Sequence, residues 1–154
     1  MTQTTRVLGL AAALLLGLSA AVHAQAALSA NDMDEIRNLY AHYNLVLDAG
    51  ESEAWADTFT EDGTFGTSEG RTELIAFADG FHEQNPQSRH WNTNLHVTPM
   101  ADGAAGTTYL MLWNVGVRPA SIILTGIYTD ALVRTPDGWR FKSRQVGIDR
   151  PASN

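Results

Sequence analysis

Polar residues alternate with other residues in RHWNTNLH, the segment formed by residues 89–96. Successive side chains of an extended strand point to opposite faces, so His90, Asn92, Asn94 and His96 form one polar row. A neutral imidazole can take a proton from carbon or deliver one to a leaving hydroxyl, which is general acid–base chemistry. The same alternation is also typical of a strand with one solvent-facing side, so both interpretations remain open at this point.

The spacing of the two histidines argues against a shared metal ion. His90 and His96 are six residues apart, which is about 20 Å on a strand and too far for two ligands of one ion. The chain contains no cysteine, so thiol catalysis, thiolate metal sites and disulfides are excluded. The sequence has no nucleophile elbow, phosphate loop or dinucleotide-binding fingerprint. We therefore expect a site that uses neither a metal nor a cofactor.

Tyr43 and Asp48 are the second pair of candidates, on the amphipathic segment before the polar row. Five residues on a helix place them roughly 140° apart, so they cannot share a narrow face, although they can flank a cavity. An aspartate close to His90 would orient the imidazole and stabilise its protonated form. Two plainer interpretations stand beside this one: a core tyrosine, and an aspartate that bonds local backbone amides at the helix end.

Three further residues are candidates for binding substrate. Asn94 could hydrogen-bond a carbonyl or hydroxyl from the polar row, or could fix backbone at the rim. Asn114, on the next strand, and Arg144, on the last strand, could also contact substrate; for Arg144 an exposed face is the favoured interpretation. Asn92 and His96 are weaker candidates, which we expect at the rim or the surface.

The N-terminus predicts export. A short start with one arginine precedes an apolar run over residues 7–21, and Val22-His23-Ala24 follows. This order is typical of a secretory signal peptide and is too short to span a membrane. We expect cleavage near Gln25 and a periplasmic or secreted protein. The predicted organisation is a signal peptide at 1–24, a flexible lead-in at 25–32, one domain at 33–149 and a tail at 150–154.

Composition limits the partners. The chain of 154 residues has a formal net charge of −7, and removal of the signal peptide makes it more acidic. A domain without a basic cluster is a poor candidate for nucleic acid or an anionic membrane surface, so we expect neither as a partner after signal cleavage. The remaining length, about 130 residues, suits one domain with its own core.

Hydrophobic periodicity predicts an α+β fold. We expect a first helix capped by Asn31 or Asp32 and ended by Gly50, a short helix over 51–59, and a third helix over 73–83. A turn at 61–63 and a short strand at 64–67 lie between the last two. Four strands then follow at 89–100, 107–117, 122–134 and 139–148, the last two joined by a hairpin. Helices first and antiparallel strands afterwards indicate helices packed on one curved sheet.

Several short motifs occur in a characteristic order, and they are Tyr43-x4-Asp48-Ala-Gly-Glu, Trp55, Phe59-Thr-Glu-Asp-Gly-Thr-Phe65, Arg89-His90-x-x-Thr93-Asn94, Gly126-x-Tyr128-x-Asp130 and Gly138-Trp139-Arg140-Phe141. Over residues 33–149 the chain resembles the SnoaL-like branch of the nuclear transport factor 2-like superfamily, and its pocket resembles those of scytalone dehydratase and bile acid 7α-dehydratase. The resemblance implies a cone, in which a curved antiparallel or mixed sheet wraps around three N-terminal helices and leaves a deep apolar cavity. It also implies cofactor-independent chemistry on small ring-containing molecules.

The resemblance assigns roles to individual residues. It implies that His90 points into the cone as the acid or base, and that Tyr43 and Asp48 belong to the active site. It turns Asn94 into the cone as well. Asn114 stands where some dehydratases carry a second histidine or an aspartate, which is a departure from their pattern. The short strand at 64–67 lacks the carboxylate that steroid isomerases place there, so an isomerase of that type is disfavoured.

These observations lead to a primary hypothesis and two alternatives. The primary one is a dehydratase-type lyase that acts on a small apolar, hydroxylated or ring-containing substrate. The first alternative is a non-catalytic protein that binds a small hydrophobic ligand or associates with itself. A weaker alternative is an isomerase or hydrolase using the same pocket. Trp91 and Leu95 on the outer sheet face predict a homo-oligomer, either a dimer or a trimer.

Overall fold

The structure, a computed structural model, describes residues 27–150 of the chain. Its elements are helices α1 (Ala30–Ala49), α2 (Ser52–Ala56) and α3 (Gly70–Gln84) and strands β1 (Phe59–Phe65), β2 (Ser68–Glu69), β3 (Ser88–Met100), β4 (Gly103–Asn114), β5 (Ser121–Thr135) and β6 (Gly138–Ile148). The expected signal peptide at 1–24, the first two lead-in residues and nearly all of the expected tail lie outside the described residues. Within 27–150, none of the helices is long and apolar enough to cross a membrane.

The six strands form one mixed sheet in the order β2-β1-β6-β5-β4-β3. All neighbours are antiparallel except β1 and β6, which run parallel. Helix α1 contacts both β6 and β3, which lie three positions apart in the sheet, so the sheet must curve around the helix. This arrangement confirms the predicted α+β fold with a curved mixed sheet.

Helix α1 begins earlier than its apolar pattern suggested. Its cap is Ser29, whose hydroxyl accepts a hydrogen bond from the Asp32 amide at 3.1 Å, while the Asp32 carboxylate accepts one from the Ser29 amide at 2.9 Å. This reciprocal pair is a capping box. The prediction of Asn31 or Asp32 as the cap is wrong, because Asp32 occupies the third helical position instead. The predicted end is correct: Gly50 has φ 74°, a left-handed conformation that glycine adopts without strain.

Strand β1 also departs from the expectation. The predicted turn at 61–63 lies inside β1, which begins at Phe59, and the pairing with β6 shifts in register between Phe59 and Thr64. The residues predicted to form a turn lie within this irregular part of the strand. The other four long strands occur where they were predicted, within a few residues at each end. Thr135 pairs with Gly138 at the expected β5–β6 hairpin.

Aromatic residues fill the interior between α1, α2 and the sheet. Trp55 and Phe141 have no exposed surface. The Tyr43 ring lies 5.4 Å from that of Trp55, 5.4 Å from that of Phe141 and 6.0 Å from that of Phe59, measured between centroids. Tilted and edge-to-face contacts of this kind add to the stabilisation from burial alone. Around Tyr43, the space between the helices and the sheet is filled by packed side chains. A cavity can therefore lie only beside this aromatic core.

Candidate functional site

A pocket of about 680 Å³ lies between α1 and the strands β3 and β4. This volume falls in the range of sites that hold small organic molecules. Tyr40, Asn44 and Asp48 line it from α1, at a four-residue spacing that places them along one helix face. His90 and Asn92 line it from β3, on the side of the strand that faces the helix. Polar groups from two rigid elements therefore meet in one pocket.

Asp48 and His90 form a doubly bonded pair at the pocket wall. The Asp48 carboxylate accepts a hydrogen bond from His90 Nδ1 at 2.6 Å through one oxygen, and from the His90 backbone amide at 2.9 Å through the other. Only 4% of the His90 side chain and 9% of the Asp48 side chain are exposed. The Phe81 ring of α3 packs against the imidazole, with centroids 5.3 Å apart. The ring is therefore held by a hydrogen bond at Nδ1 and by the Phe81 ring against it.

The carboxylate also decides which imidazole nitrogen can act. An ionised carboxylate only accepts hydrogen bonds, so the proton of the neutral ring resides on Nδ1. Nε2 then carries the free lone pair, and within the described part of the chain no residue donates to it. A proton taken up at Nε2 would create an imidazolium that the Asp48 charge stabilises. The pair thus has the geometry of a general base that can become a general acid.

A β-bulge divides β3 and corrects the expected polar row. The pairing with β4 shifts between Thr93 and His96, and Asn94 has φ 58°, which is a left-handed conformation. The extra residue reverses the side-chain alternation, because every later side chain moves to the opposite face. Asn94 is consequently exposed and does not share the His90 face, so its predicted position inside the cone is wrong.

Beyond the bulge, the inward-facing side chains are apolar. Leu95 and Val97 pack against the core, while His96 is exposed as expected. The assignment of Leu95 to the outer face is therefore wrong, for the same reason as that of Asn94. Before the bulge, Asn92 remains in phase with His90, and both atoms of its carboxamide are buried. The expectation that Asn92 lies at the rim or surface is also wrong.

Tyr43 does not line the pocket. It lies in the aromatic core, fully buried, and its hydroxyl has no hydrogen-bond partner among residues 27–150. Burial raises the pKa of this hydroxyl above its ordinary value, although the neighbouring Arg144 guanidinium opposes the shift. The tyrosine that faces the pocket is Tyr40, three residues earlier, and its hydroxyl donates to Asp130. The predicted convergence of Tyr43 with Asp48 and His90 is therefore limited to the last two.

Arg144 belongs to the core. Its side chain has no exposed surface, and Nε and Nη2 each donate to an Asp130 oxygen at 2.8 Å. Four aromatic rings surround the guanidinium at 4.0 to 4.7 Å, those of Tyr40, Tyr43, Tyr128 and Phe141. Burial alone would lower the pKa of Arg144, but the Asp130 carboxylate outweighs it and raises that pKa. The exposed face expected for Arg144 is wrong, because the side chain is enclosed. Arg144 does not line the pocket of His90, although its Nη1 atom is buried without a hydrogen-bond partner among residues 27–150.

Asn114 lies apart from the dyad. Its carboxamide oxygen accepts a hydrogen bond from the Gly116 amide at 2.9 Å, which caps the end of β4. It lines a separate cavity of about 250 Å³ together with Gln84, Gln87 and Ser88. Asn114 therefore lies outside the pocket of His90. A residue in that position does not fit the predicted contact with a substrate bound at His90.

Two polar pocket residues, Tyr40 and Asn44, are not predicted from the sequence, and a third, Asn92, is predicted only as a weaker candidate. A signal for the first two exists, because counting back from Asp48 in steps of four gives Asn44 and then Tyr40. The polar row contains Asn92 but favours Asn94, because nothing in the local sequence indicates the bulge. Among the described residues, no group of three His, Cys, Asp or Glu side chains is arranged to hold a metal ion.

Comparison with known proteins places this geometry in a family. The family model described as a SnoaL-like domain matches residues 29–145. The anthranilate 1,2-dioxygenase small subunit of Burkholderia cepacia is 26% identical over 137 residues, which covers 75% of this chain and 85% of that subunit.

Two solved structures are similar across most of the fold. One is a nuclear transport factor 2-like protein with a cystatin-like fold from Novosphingobium aromaticivorans, with TM-score 0.73 and 27% identity, covering 79% of this chain and 85% of the other. The second, a putative scytalone dehydratase from the same organism, has TM-score 0.67 and 23% identity, covering 78% and 85%. At that identity the second likeness concerns the fold alone.

Proposed function

The chain belongs to the SnoaL-like domain family, and we propose that it is a cofactor-independent lyase of the dehydratase type. The observation that carries this proposal is the Asp48–His90 dyad, buried at the wall of a pocket of about 680 Å³. Its substrate is a small apolar molecule that bears a hydroxyl group next to an acidic C–H bond. Leu45 and Leu95, which line the same pocket, supply apolar surface for such a molecule.

The reaction needs one proton acceptor that later returns the proton. His90 Nε2 removes a proton from the carbon beside a carbonyl, so the C–H electron pair passes into an enolate. The enolate then re-forms the carbonyl as the carbon–oxygen bond to the hydroxyl breaks. The same Nε2–H delivers its proton to the departing hydroxyl, which leaves as water. Asp48 stabilises the imidazolium between the two transfers and keeps the ring in place.

Turnover of cyclic β-hydroxy ketones tests the proposal. The probes are β-hydroxycyclohexanone and its aryl-fused bicyclic homologue, whose loss of water produces a conjugated enone or an aromatic ring with new ultraviolet absorbance. Replacement of His90 by Ala should lower turnover by about 10²- to 10⁴-fold, the usual contribution of general acid–base catalysis. His42→Ala is the matched control, because His42 is exposed on α1 and lies outside this pocket. Near-wild-type turnover by the His90→Ala variant would refute the mechanism.

A second candidate is a protein that binds a small hydrophobic ligand without converting it. The observation in its favour is the withdrawal of Tyr43 and Asn114 from the pocket, which leaves the dyad without two of the residues expected beside it. In that case the His90→Ala variant would bind the same compounds with little change. No compound would be converted by the wild-type protein either.

We also propose that the protein is a homo-oligomer formed through the outer sheet face. Trp91, Tyr109 and Ile127 on that face are 54%, 51% and 38% exposed, and the Trp91 ring packs at a tilt against that of Trp113, with centroids 5.1 Å apart. Exposed aromatic and aliphatic groups on adjacent strands are typical of a covered surface. Light scattering after size-exclusion chromatography should give a dimer or trimer for wild type. Tyr109→Glu should shift it to monomer, whereas Ala76→Glu on α3 should not; a wild-type monomer at high concentration would refute the proposal.

Export to the periplasm or the medium is the remaining proposal, and it rests on residues 1–24 of the sequence. Mass spectrometry of the protein from fractionated cells should find a chain that starts near Gln25. A chain that retains residues 1–24 and stays with the cytoplasmic fraction would contradict it.

A further inference from the structure

Two asparagines in the pocket of the dyad have buried amide atoms without partners. Both carboxamide atoms of Asn92 and the carboxamide oxygen of Asn44 are inaccessible to solvent, and none of the three has a hydrogen bond to residues 27–150. Buried polar atoms are nearly always hydrogen-bonded in proteins, because an unmade bond in a dry environment costs stability. Asn44 and Asn92 both line the pocket that contains Asp48 and His90.

Contacts at two levels show how α1 runs along β3. Asp48 bonds His90 at one level. At the other, the Tyr40 hydroxyl lies against Gly106, since a Cβ on that glycine would be 2.1 Å from it, and Gly106 pairs with Val97 of β3. Helix α1 therefore runs antiparallel to β3: residues before Asp48 on the helix lie beside residues after His90 on the strand.

This antiparallel course places the two carboxamides on facing walls. Asn44 is four residues before Asp48, which is about 6 Å along a helix. Asn92 is two residues after His90, which is about 7 Å along a strand. The two steps run in the same direction from the dyad. A polar station formed by Asn44 and Asn92 thus lies about 6 to 7 Å from the dyad along the pocket, in the direction of Tyr40.

We infer that the substrate is a ring compound with two oxygen functions, one at His90 Nε2 and a second at the carboxamide station of Asn44 and Asn92. The Asn92 amide can donate to a carbonyl or phenolic oxygen, and the oxygens of both residues can accept from a hydroxyl. A separation of about 6 to 7 Å is spanned by one or two fused six-membered rings. This inference rests on the proposed function only for the statement that the end at His90 is the end that reacts.

The station also explains why the asparagines remain unpaired. A site that hydrogen-bonds a polar substituent discriminates strongly against an analogue without it, because its own buried groups then stay unsatisfied. Plain hydrocarbon ligands would gain nothing from these amides. The specificity of the pocket therefore resides in residues that do not touch the proton being transferred.

Calorimetric titration of the full-length protein with three probes tests the inference. The probes are naphthalene, a naphthol with one hydroxyl, and a naphthalenediol with one hydroxyl on each ring. Wild type should prefer the diol over the naphthol by about tenfold, the effect of one well-placed hydrogen bond that is otherwise left unmade. Asn92→Leu, which keeps the side-chain volume, should remove that preference. Asn38→Leu, at an exposed position of α1 outside this pocket, should preserve it.

Thermal unfolding separates recognition from a structural role. If Asn92 is unpaired in the free protein, Asn92→Leu should leave the melting temperature unchanged or raise it, since an unsatisfied amide is replaced by an apolar group. A lower melting temperature together with an unchanged preference for the diol would overturn the inference, as would failure of wild type to distinguish the diol from naphthalene. If Asn92 controls the preference and no β-hydroxy ketone is converted, the lyase proposal fails and the ligand class stands.

Discussion

The carboxylate of Asp48 binds His90 twice, through the imidazole Nδ1 at 2.6 Å and through the backbone amide at 2.9 Å. The first bond orients the ring, and the second ties the start of β3 to the C-terminal end of α1. Because the backbone of β3 cannot slide without breaking the second bond, the ring position is coupled to the packing of helix on sheet. The dyad is thus fixed by main chain as well as by side chains.

Asp48→Asn should lower turnover by about 10²-fold or more while the fold is preserved. The substitution retains the size of the side chain but removes the charge that stabilises the imidazolium and fixes the proton on Nδ1. Nitrogen chemical shifts of the neutral imidazole should show unprotonated Nε2 in wild type and a mixture of tautomers in the variant. Asp34→Asn, on the exposed side of α1, is the control and should change neither quantity.

Arg144→Met should lower the free energy of unfolding by about 3 to 5 kcal/mol, because it leaves the Asp130 carboxylate buried without its cation. The double variant with Asp130→Leu should recover much of this loss, since no charge then remains buried. Urea denaturation measures both. Arg37→Met, which breaks an exposed pair with Asp34, should cost roughly 0 to 1 kcal/mol. Equal costs for Arg144→Met and the double variant would show that lost packing, and not the unpaired charge, causes the effect.

Asp32 should make stability sensitive to acid. Hydrogen bonds from the Ser29 hydroxyl, the Ser29 amide and the Trp139 indole lower the pKa of this carboxyl from 3.8 to about 2. A carboxyl with a depressed pKa in the folded state stabilises it fully above about pH 4, and this contribution disappears as the pH falls through about 2. Asp32→Asn should therefore be less stable than wild type at neutral pH, and the difference should shrink between pH 4 and pH 2. A difference that is constant across this range would contradict the assignment.

Gly106 and Gly80 should respond to alanine with opposite signs. A Cβ on Gly106 would lie 2.1 Å from the Tyr40 hydroxyl, so Gly106→Ala must displace the ring and should destabilise the protein by about 1 to 3 kcal/mol. Gly80 lies within α3 and a Cβ there meets nothing within 4 Å. Gly80→Ala should stabilise by about 0.5 to 1 kcal/mol through helix propensity. Melting curves of both variants, measured together, check the pair of signs.

Most of the fold is predictable from the sequence because it depends on periodic patterns. Apolar spacing along α1 and alternation along the four long strands depend only on local chemistry, and the structure follows them closely. The closeness of Asp48 and His90, 42 residues apart in the chain, was expected from the resemblance to known dehydratases and not from spacing.

Several errors at the site share a physical origin, because a small shift in register changes which face a side chain occupies. Because of the bulge at Asn94, the pocket contains Asn92 and not the predicted Asn94. On α1, the difference between Tyr43 and Tyr40 is a rotation of less than one turn, and hydrophobicity does not distinguish two buried tyrosines. Arg144 was misplaced because its partner Asp130 lies on the neighbouring strand, and pairing across strands depends on the register that the sequence leaves open.

The bulge in β3 has a consequence for how the pocket can change over time. Before it, His90 and Asn92 face the pocket, and after it Leu95 and Val97 pack against the core, so the strand is divided into two segments under separate constraints. Substitutions at 88–92 can alter what the pocket accepts while Leu95 and Val97 continue to hold the fold. Deletion of one residue at the bulge would exchange these faces throughout the second half of the strand. Ligand specificity can therefore change through substitutions before the bulge. Insertions or deletions in β3 should instead be selected against, because they would disrupt the core.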